Sequence, residues 1–132
     1  MLILKRPFSQ KIIAHTQTAY PLEACGLLGG ANGIVTSQYP IHNRLQSETA
    51  YEMEPAEMLD AFLTMEAHGE ELIAIYHSHP QGPPQPSPTD IAQAHYPDAV
   101  QIIVSLQERK RPLLRAFNIK NGRVSPITIA PL

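Results

Sequence analysis

The chain has 132 residues, 43% of them hydrophobic, and a formal charge of -2, which suits one domain over 1–132 with a real core and little room for a second. Its lysines and arginines are scattered, so the basic footprint of a nucleic-acid or anionic-membrane binder is missing, and no apolar run reaches the roughly 18 residues a membrane span needs. Cys25 is the single cysteine, which excludes a disulfide framework and a CxxC zinc pair, and MLILKRPF has neither the basic region nor the long apolar run of a signal peptide, so a cytoplasmic protein is expected.

Residues 2–4 read as a short first strand, and Ser9 as the cap of a helix in which Ile12, Ile13 and residues 15–20 carry the pattern to Pro21. EACGLLGG reads as a strand stopped by Gly29 and Gly30, Asn32-Gly33 as a hairpin turn, and residues 34–41 as the returning strand. Residues 42–53 are polar and irregular and read as a loop. Pro55 suits a first helical position; Met58, Leu59, Phe62 and Leu63 then predict one buried stripe on a helix that ends near Gly69. Residues 71–76, ELIAIY, are apolar at both parities, as expected of a central strand covered on both faces, and this strand delivers two histidines. After a proline-rich loop, residues 88–95 predict a short helix and residues 100–106 a strongly apolar strand. Residues 113–119 and 123–129 predict two more strands about an Asn121-Gly122 turn. Helices alternate with strands early and hairpins close the chain late, which predicts an α/β fold with a mixed sheet and helices packed on it.

The chemistry concentrates in HSHPQGPPQPSPTD, residues 77–90. Strand residues two apart share a face, so His77 and His79 project together while Ser78 points away. Neutral imidazoles at that spacing suit zinc, whose catalytic sites use three protein ligands and leave the fourth position to water. Asp90 is the candidate third ligand, because five prolines stiffen the intervening loop and return the next helix at a fixed distance. Surface histidines at a strand end are the competing reading of the pair. Ser87-Pro88-Thr89-Asp90 also reads as a helix cap with proline at N1 and an acid at N3. Both roles are compatible in part, since Asp90 has two oxygens and a capping Ser87 hydroxyl keeps one proton to donate. On residues alone, Glu23 reads as a solvated acid at a strand start and Cys25 as a small buried apolar side chain. His15, His42, His68 and His95 lack a partner at ligand spacing and read as exposed or capping. The sequence contains no HExxH, no deaminase HxE with PCxxC and no phosphate-binding glycine loop.

The order His77, His79, seven residues, Ser87, two residues, Asp90 resembles H-x-H-x7-S-x2-D of the JAMM (MPN+) metalloproteases, with every position filled. Upstream, PLEACGLLGG resembles the family segment in which a glutamate precedes a glycine-containing strand, which maps the catalytic glutamate to Glu23. The resemblance implies a curved mixed β-sheet flanked by helices, of the JAMM/MPN, cytidine-deaminase-like kind. It also implies one Zn2+ per chain held by His77, His79 and Asp90, with Glu23 moving protons and Ser87 stabilising an oxyanion, in hydrolysis of a peptide or isopeptide bond by zinc-activated water.

For a chain with little length for insertions, the likeness is to the small prokaryotic members. Those are linked to ubiquitin-like sulfur-carrier proteins of the ThiS and MoaD type, so the implied substrate is an amino acid or peptide joined after a carrier's Gly-Gly. HSHPQGPPQPS also resembles the RadC proteins of the same superfamily, associated with DNA repair, and a non-catalytic MPN scaffold is a further alternative. The filled ligand positions speak for an enzyme. Asn43 and Tyr51 lie where family members often have an asparagine and a tyrosine, and the sequence gives them no role.

Overall fold

The computed structural model describes residues 1–131. Its elements in chain order are β1 (Leu2–Ile3), α1 (Arg6–Ala19), β2 (Cys25–Ala31), β3 (Ile34–Ile41), α2 (Pro55–Ala67), β4 (Glu71–His79), α3 (Pro88–Ala92), β5 (Val100–Ser105), β6 (Leu113–Lys120), β7 (Arg123–Ile127) and β8 (Ile129–Ala130). The strands form one sheet in the order β7-β6-β5-β4-β2-β3-β1-β8. It is mixed, as expected: β4 runs antiparallel to β2 and parallel to β5. The last two strands occupy opposite ends of that order yet are separated in sequence by Thr128 alone. The sheet must therefore curl until its edges nearly meet; the Leu2 N–H donates to the Thr128 carbonyl at 2.9 Å where the chain leaves β7 to pair with β1.

β4 is central, and its neighbouring side chains enter different cores. Ala74 and Tyr76 join Ile12 of α1, Leu28 and Ile102 on one face, while Ile75 joins Leu27, Ala61 and Met65 of α2 on the other. This double burial explains the unbroken apolar run. His77 and His79 continue the Ile75 side, so the strand carries them out from beneath α2.

Five local expectations need correction. α1 begins at Arg6 with Lys5 at its cap and Pro7 in the first turn, where a missing N–H is harmless, and Ser9 lies inside, its hydroxyl donating to the Arg6 carbonyl at 3.0 Å. The glycine pair does not stop β2. Gly30 packs so close to the Ile34 carbonyl that no side chain fits, and the ladder passes through with irregular register to Ala31. The chain turns at Asn32 and Gly33, at φ of 55° and 74°. On α2, Leu59 and Leu63 are exposed at 58% and 54%, whereas Ala61 and Met65 are buried with Met58 and Phe62 packed beside them. The buried face thus follows 58, 61, 62 and 65, the i, i+3, i+4, i+7 pattern of one helical stripe. Finally, α3 ends at Ala92 rather than near residue 95, and the last predicted strand divides at Thr128 into β7 and β8.

Candidate metal centre

At the end of β4 the two histidines face the same way, their Nε2 atoms 3.1 Å apart. Asp90, the third residue of α3, meets both: Oδ1 lies 3.2 Å from His77 Nε2 and Oδ2 lies 3.0 Å from His79 Nε2. Among the described residues, His77, His79 and Asp90 form a group whose donor atoms lie within 4.8 Å of one another. His79 Nδ1 stands 2.8 Å from the Pro83 carbonyl, which can only accept, so Nδ1 carries a proton and Nε2 is the nitrogen that takes up a second proton or a metal ion. Two imidazole nitrogens converging on one carboxylate are held together by a positive charge between them, a proton or a metal ion. Two nitrogens and a carboxylate oxygen are donors suited to zinc, so the residues fit a metal of that kind.

The proline-rich loop creates this convergence. Ser87 ends the loop and caps α3, its hydroxyl accepting from Asp90 N–H at 3.1 Å while Asp90 Oδ2 accepts from Ser87 N–H at 2.9 Å. Burial alone would raise the Asp90 pKa, but hydrogen bonds from His77 and His79 and from the Ser87 backbone hold the carboxyl well below the usual carboxylate range. Burial lowers His77. For His79 burial acts the same way but is outweighed by its bonds to Asp90 and Pro83 and by the charges of Asp90 and Glu23, so it is raised.

Glu23 is not a solvated acid: it is 6% exposed. Its residue is fixed by backbone contacts on both sides. Glu23 N–H donates to the Ser47 carbonyl at 2.8 Å, and Asn43 Nδ2 donates to the Glu23 carbonyl at 3.1 Å. The next residue, Ala24, is clamped to β4, because Ala24 N–H donates to Ser78 Oγ at 2.9 Å and Ser78 N–H donates to the Ala24 carbonyl at 3.0 Å. Burial pushes the Glu23 carboxyl up to about 7; the charge of His79 opposes the shift and that of Asp90 adds to it. Glu23, His79 and Ser87 line one cavity of about 430 Å³ walled by Pro80, Pro83 and Pro86. A second cavity of about 440 Å³, lined by Tyr51, Met58 and Tyr96, shares Ser87 with it and reaches Asp90. His79 lines one of these openings and Asp90 the other.

All five sequence-derived site residues gather here. The structure adds three that the sequence left without a role. Tyr51 stacks on His77 with ring centroids 4.6 Å apart and planes 27° apart, Asn43 ties its loop to Glu23, and Ser78 holds Ala24. A buried asparagine in a polar loop has no periodicity to betray it, and the partner of Ser78 appears only once strand pairing is known. Cys25 fits its reading as a buried apolar residue: it is 0% exposed, its thiol donates to the Ile41 carbonyl, and burial pushes its pKa up to about 12. His15 departs from expectation. It is half-buried with Nδ1 2.6 Å from the Tyr76 hydroxyl, on the sheet face opposite the metal group.

The chain matches the family described as prokaryotic homologs of the JAB domain over residues 5–120. It is 33% identical over 127 residues to a CysO-cysteine peptidase of Mycobacterium tuberculosis, covering 95% of this chain and 87% of that one. A probable TtuB-protein conjugate cleaving protease of Thermus thermophilus is 38% identical over 97 residues, which cover 73% of this chain and 65% of the relative. Among solved structures, protein DSY2949 from Desulfitobacterium hafniense superposes with a TM-score of 0.89 at 35% identity, covering 98% of this chain and 92% of that one.

Proposed function

The chain belongs to the prokaryotic homologs of the JAB domain, and from that premise we propose that it is a JAMM-type zinc peptidase that hydrolyses the amide bond after the C-terminal Gly-Gly of a ubiquitin-like sulfur-carrier protein. The observation that carries the reading is Glu23: a buried carboxyl with its pKa lifted to about 7, opening on one cavity with His79 and Ser87. His77, His79 and Asp90 would hold one zinc ion through two Nε2 atoms and a carboxylate oxygen. When bound, zinc supplies Lewis acidity that acidifies water and polarises a carbonyl.

The remaining chemistry falls to the chain's own groups. Near neutral pH a carboxyl with a pKa of about 7 both accepts and releases a proton, so Glu23 takes one from the attacking water and passes it to the leaving amine, a role typically worth about 10²- to 10⁴-fold. Ser87 uses its oxygen to accept from Asp90 N–H. Its own proton then serves the developing oxyanion. The two openings on either side of Ser87 suit a substrate that crosses the site, with the carrier tail in one and the leaving group in the other. Glycines carry no Cβ, so an extended Gly-Gly tail passes through a narrow groove that other residues would block. The names of the relatives, a CysO-cysteine peptidase and a protease of TtuB-protein conjugates, support this substrate class.

Mass spectrometry of carrier adducts tests the proposal. A carrier joined after Gly-Gly to cysteine or to a lysine-containing peptide is incubated with zinc-loaded wild type and with Glu23→Gln. The wild type should release the free Gly-Gly terminus while Glu23→Gln leaves the adduct intact. Equal cleavage by both proteins, cleavage elsewhere in the carrier, or no cleavage of any adduct would overturn it, the last outcome favouring a binding scaffold.

A further inference from the structure

The loop of residues 42–53 closes on itself through an Asn43–Met53 bridge and an Arg44 N–H to Glu52 carbonyl bond of 2.9 Å. Inside it the Asn43 amide is 7% exposed and spends its whole hydrogen-bonding capacity. Nδ2 donates to the Glu23 carbonyl at 3.1 Å and to the Ala50 carbonyl at 3.0 Å. Oδ1 accepts from Leu45 N–H at 3.1 Å and from Glu52 N–H at 3.2 Å. Two of these partners, Ala50 and Glu52, flank Tyr51. A third, Glu23, lines the cavity beside His79.

Tyr51 matters because only one of the two ring nitrogens of His77 has a polar partner. A metal-binding imidazole ordinarily fixes its ring by donating from its other nitrogen. His79 does so to Pro83, but His77 Nδ1 is buried without a hydrogen-bond partner among the described residues. The Tyr51 ring stacks on the face of the His77 ring, while the His79 ring meets it edgewise. One amide therefore sets two things: the backbone of Glu23, and the backbone on both sides of the ring that orients His77.

We propose that Asn43 is the positioning residue of this site, fixing Glu23 and the Tyr51–His77 stack in one mutual geometry through its four hydrogen bonds. Its catalytic consequence rests on the reading of Glu23 as the proton carrier. An aspartate would keep the shape and the two acceptor bonds but place an oxygen against the Glu23 and Ala50 carbonyls. Asn43→Asp therefore removes the tie to Glu23 while retaining half of the loop's bonds.

The test has arms with and without metal. In metal-free protein, NMR signals of the His77 ring protons carry the ring-current shift of Tyr51, and Tyr51→Leu defines where they fall when the stack is lost. Asn43→Asp should move them toward the Tyr51→Leu positions. In zinc-loaded enzyme, Asn43→Asp should lower kcat by about 10²-fold per metal-loaded molecule, the scale of a displacement near 1 Å, with KM within about threefold. Unmoved His77 signals together with unchanged kcat in a folded variant overturn the proposal, since a purely structural asparagine would only lower the melting temperature. Wild type supplies an arm independent of the variant's folding. Asn43 side-chain amide protons protected from exchange support the proposal, and exchange at the rate of an exposed amide sinks it. A wild type without turnover on any carrier adduct refutes the hydrolase reading, and the NMR and exchange arms still decide the placement of Tyr51 and Glu23 by Asn43.

Discussion

Ser87 and Asp90 cap each other, each backbone N–H donating to the other's side chain at 2.9 and 3.1 Å, and the Asp90 oxygen engaged in this exchange is the one 3.0 Å from His79 Nε2. Helix α3 has five residues and buries none of them. Nothing in its own packing places Asp90, so the reciprocal cap and the stiff loop before it do. The capping and the metal-ligand readings of this segment are two uses of the same atoms.

Ser87→Ala should consequently show two effects. Loss of the cap acceptor costs about 1 kcal/mol, lowering the melting temperature by a few degrees. Loss of the oxyanion donor should lower kcat on the order of 10²- to 10³-fold. Stopped assays and a thermal melt on the same sample separate the two. A lower melting temperature with unchanged kcat would assign Ser87 to capping alone.

Elemental analysis of the purified protein should find about one zinc per chain. His77→Ala and Asp90→Ala should lose it, because two remaining donors bind weakly. Cys25→Ala should keep it, since that thiol is buried and donates to Ile41. Full occupancy in either ligand variant, or loss of zinc with Cys25, contradicts the ligand set.

The convergence of the two histidines was legible because a strand has a period of two, which sends His77 and His79 to one face whatever the rest of the chain does. Asp90 was legible because prolines restrict the path between. Glu23 was not legible from its residue type: its backbone is held by Ser47 and Asn43 of a loop whose course no local pattern predicts. The α2 stripe was read one position off because Leu59 and Leu63 are as apolar as the true face, and only contact with β4 selects Ala61 and Met65. The parting of β7 from β8 was invisible for a similar reason, since pairing with β1 across the seam is a property of the closed sheet.

Ser78 is 0% exposed, and its hydroxyl is the acceptor for Ala24 N–H. Ser78→Ala leaves that donor buried and unpaired, a loss of about 1 to 3 kcal/mol. Zinc content should be retained, because the ring nitrogens of His77 and His79 lie on the other face of β4. kcat should fall with it, because Ala24 follows Glu23 directly. The check is a denaturation curve, a zinc assay and kcat on one preparation; an unaltered denaturation midpoint would mean that Ala24 finds another partner and that the clamp is dispensable.

The pKa of Glu23 makes folding stability depend on pH in a direction opposite to that of an ordinary surface acid. Burial lifts the carboxyl from its usual 4.5 to about 7 in the folded chain. Between those values the folded state holds a proton that the unfolded chain has released, so stability falls as pH rises through this window. Glutamine has no proton to lose. In metal-free protein, Glu23→Gln should match the wild type near pH 4, gain on it steadily as pH rises, and hold a constant advantage above about pH 8, where Glu23 is ionised in both states. The histidines and Asp90 titrate in both proteins, so the difference between the two curves reports Glu23 together with its coupling to His79. Denaturant midpoints measured with a chelator present across pH 4 to about 8.5 give that difference directly. Zinc loading adds positive charge that favours the carboxylate, so the step in the difference curve should then move to lower pH. A difference curve that stays flat from pH 4 upward would mean that the buried carboxyl is already ionised at the ordinary value, and Glu23 would lose its standing as a group poised to exchange protons near neutrality.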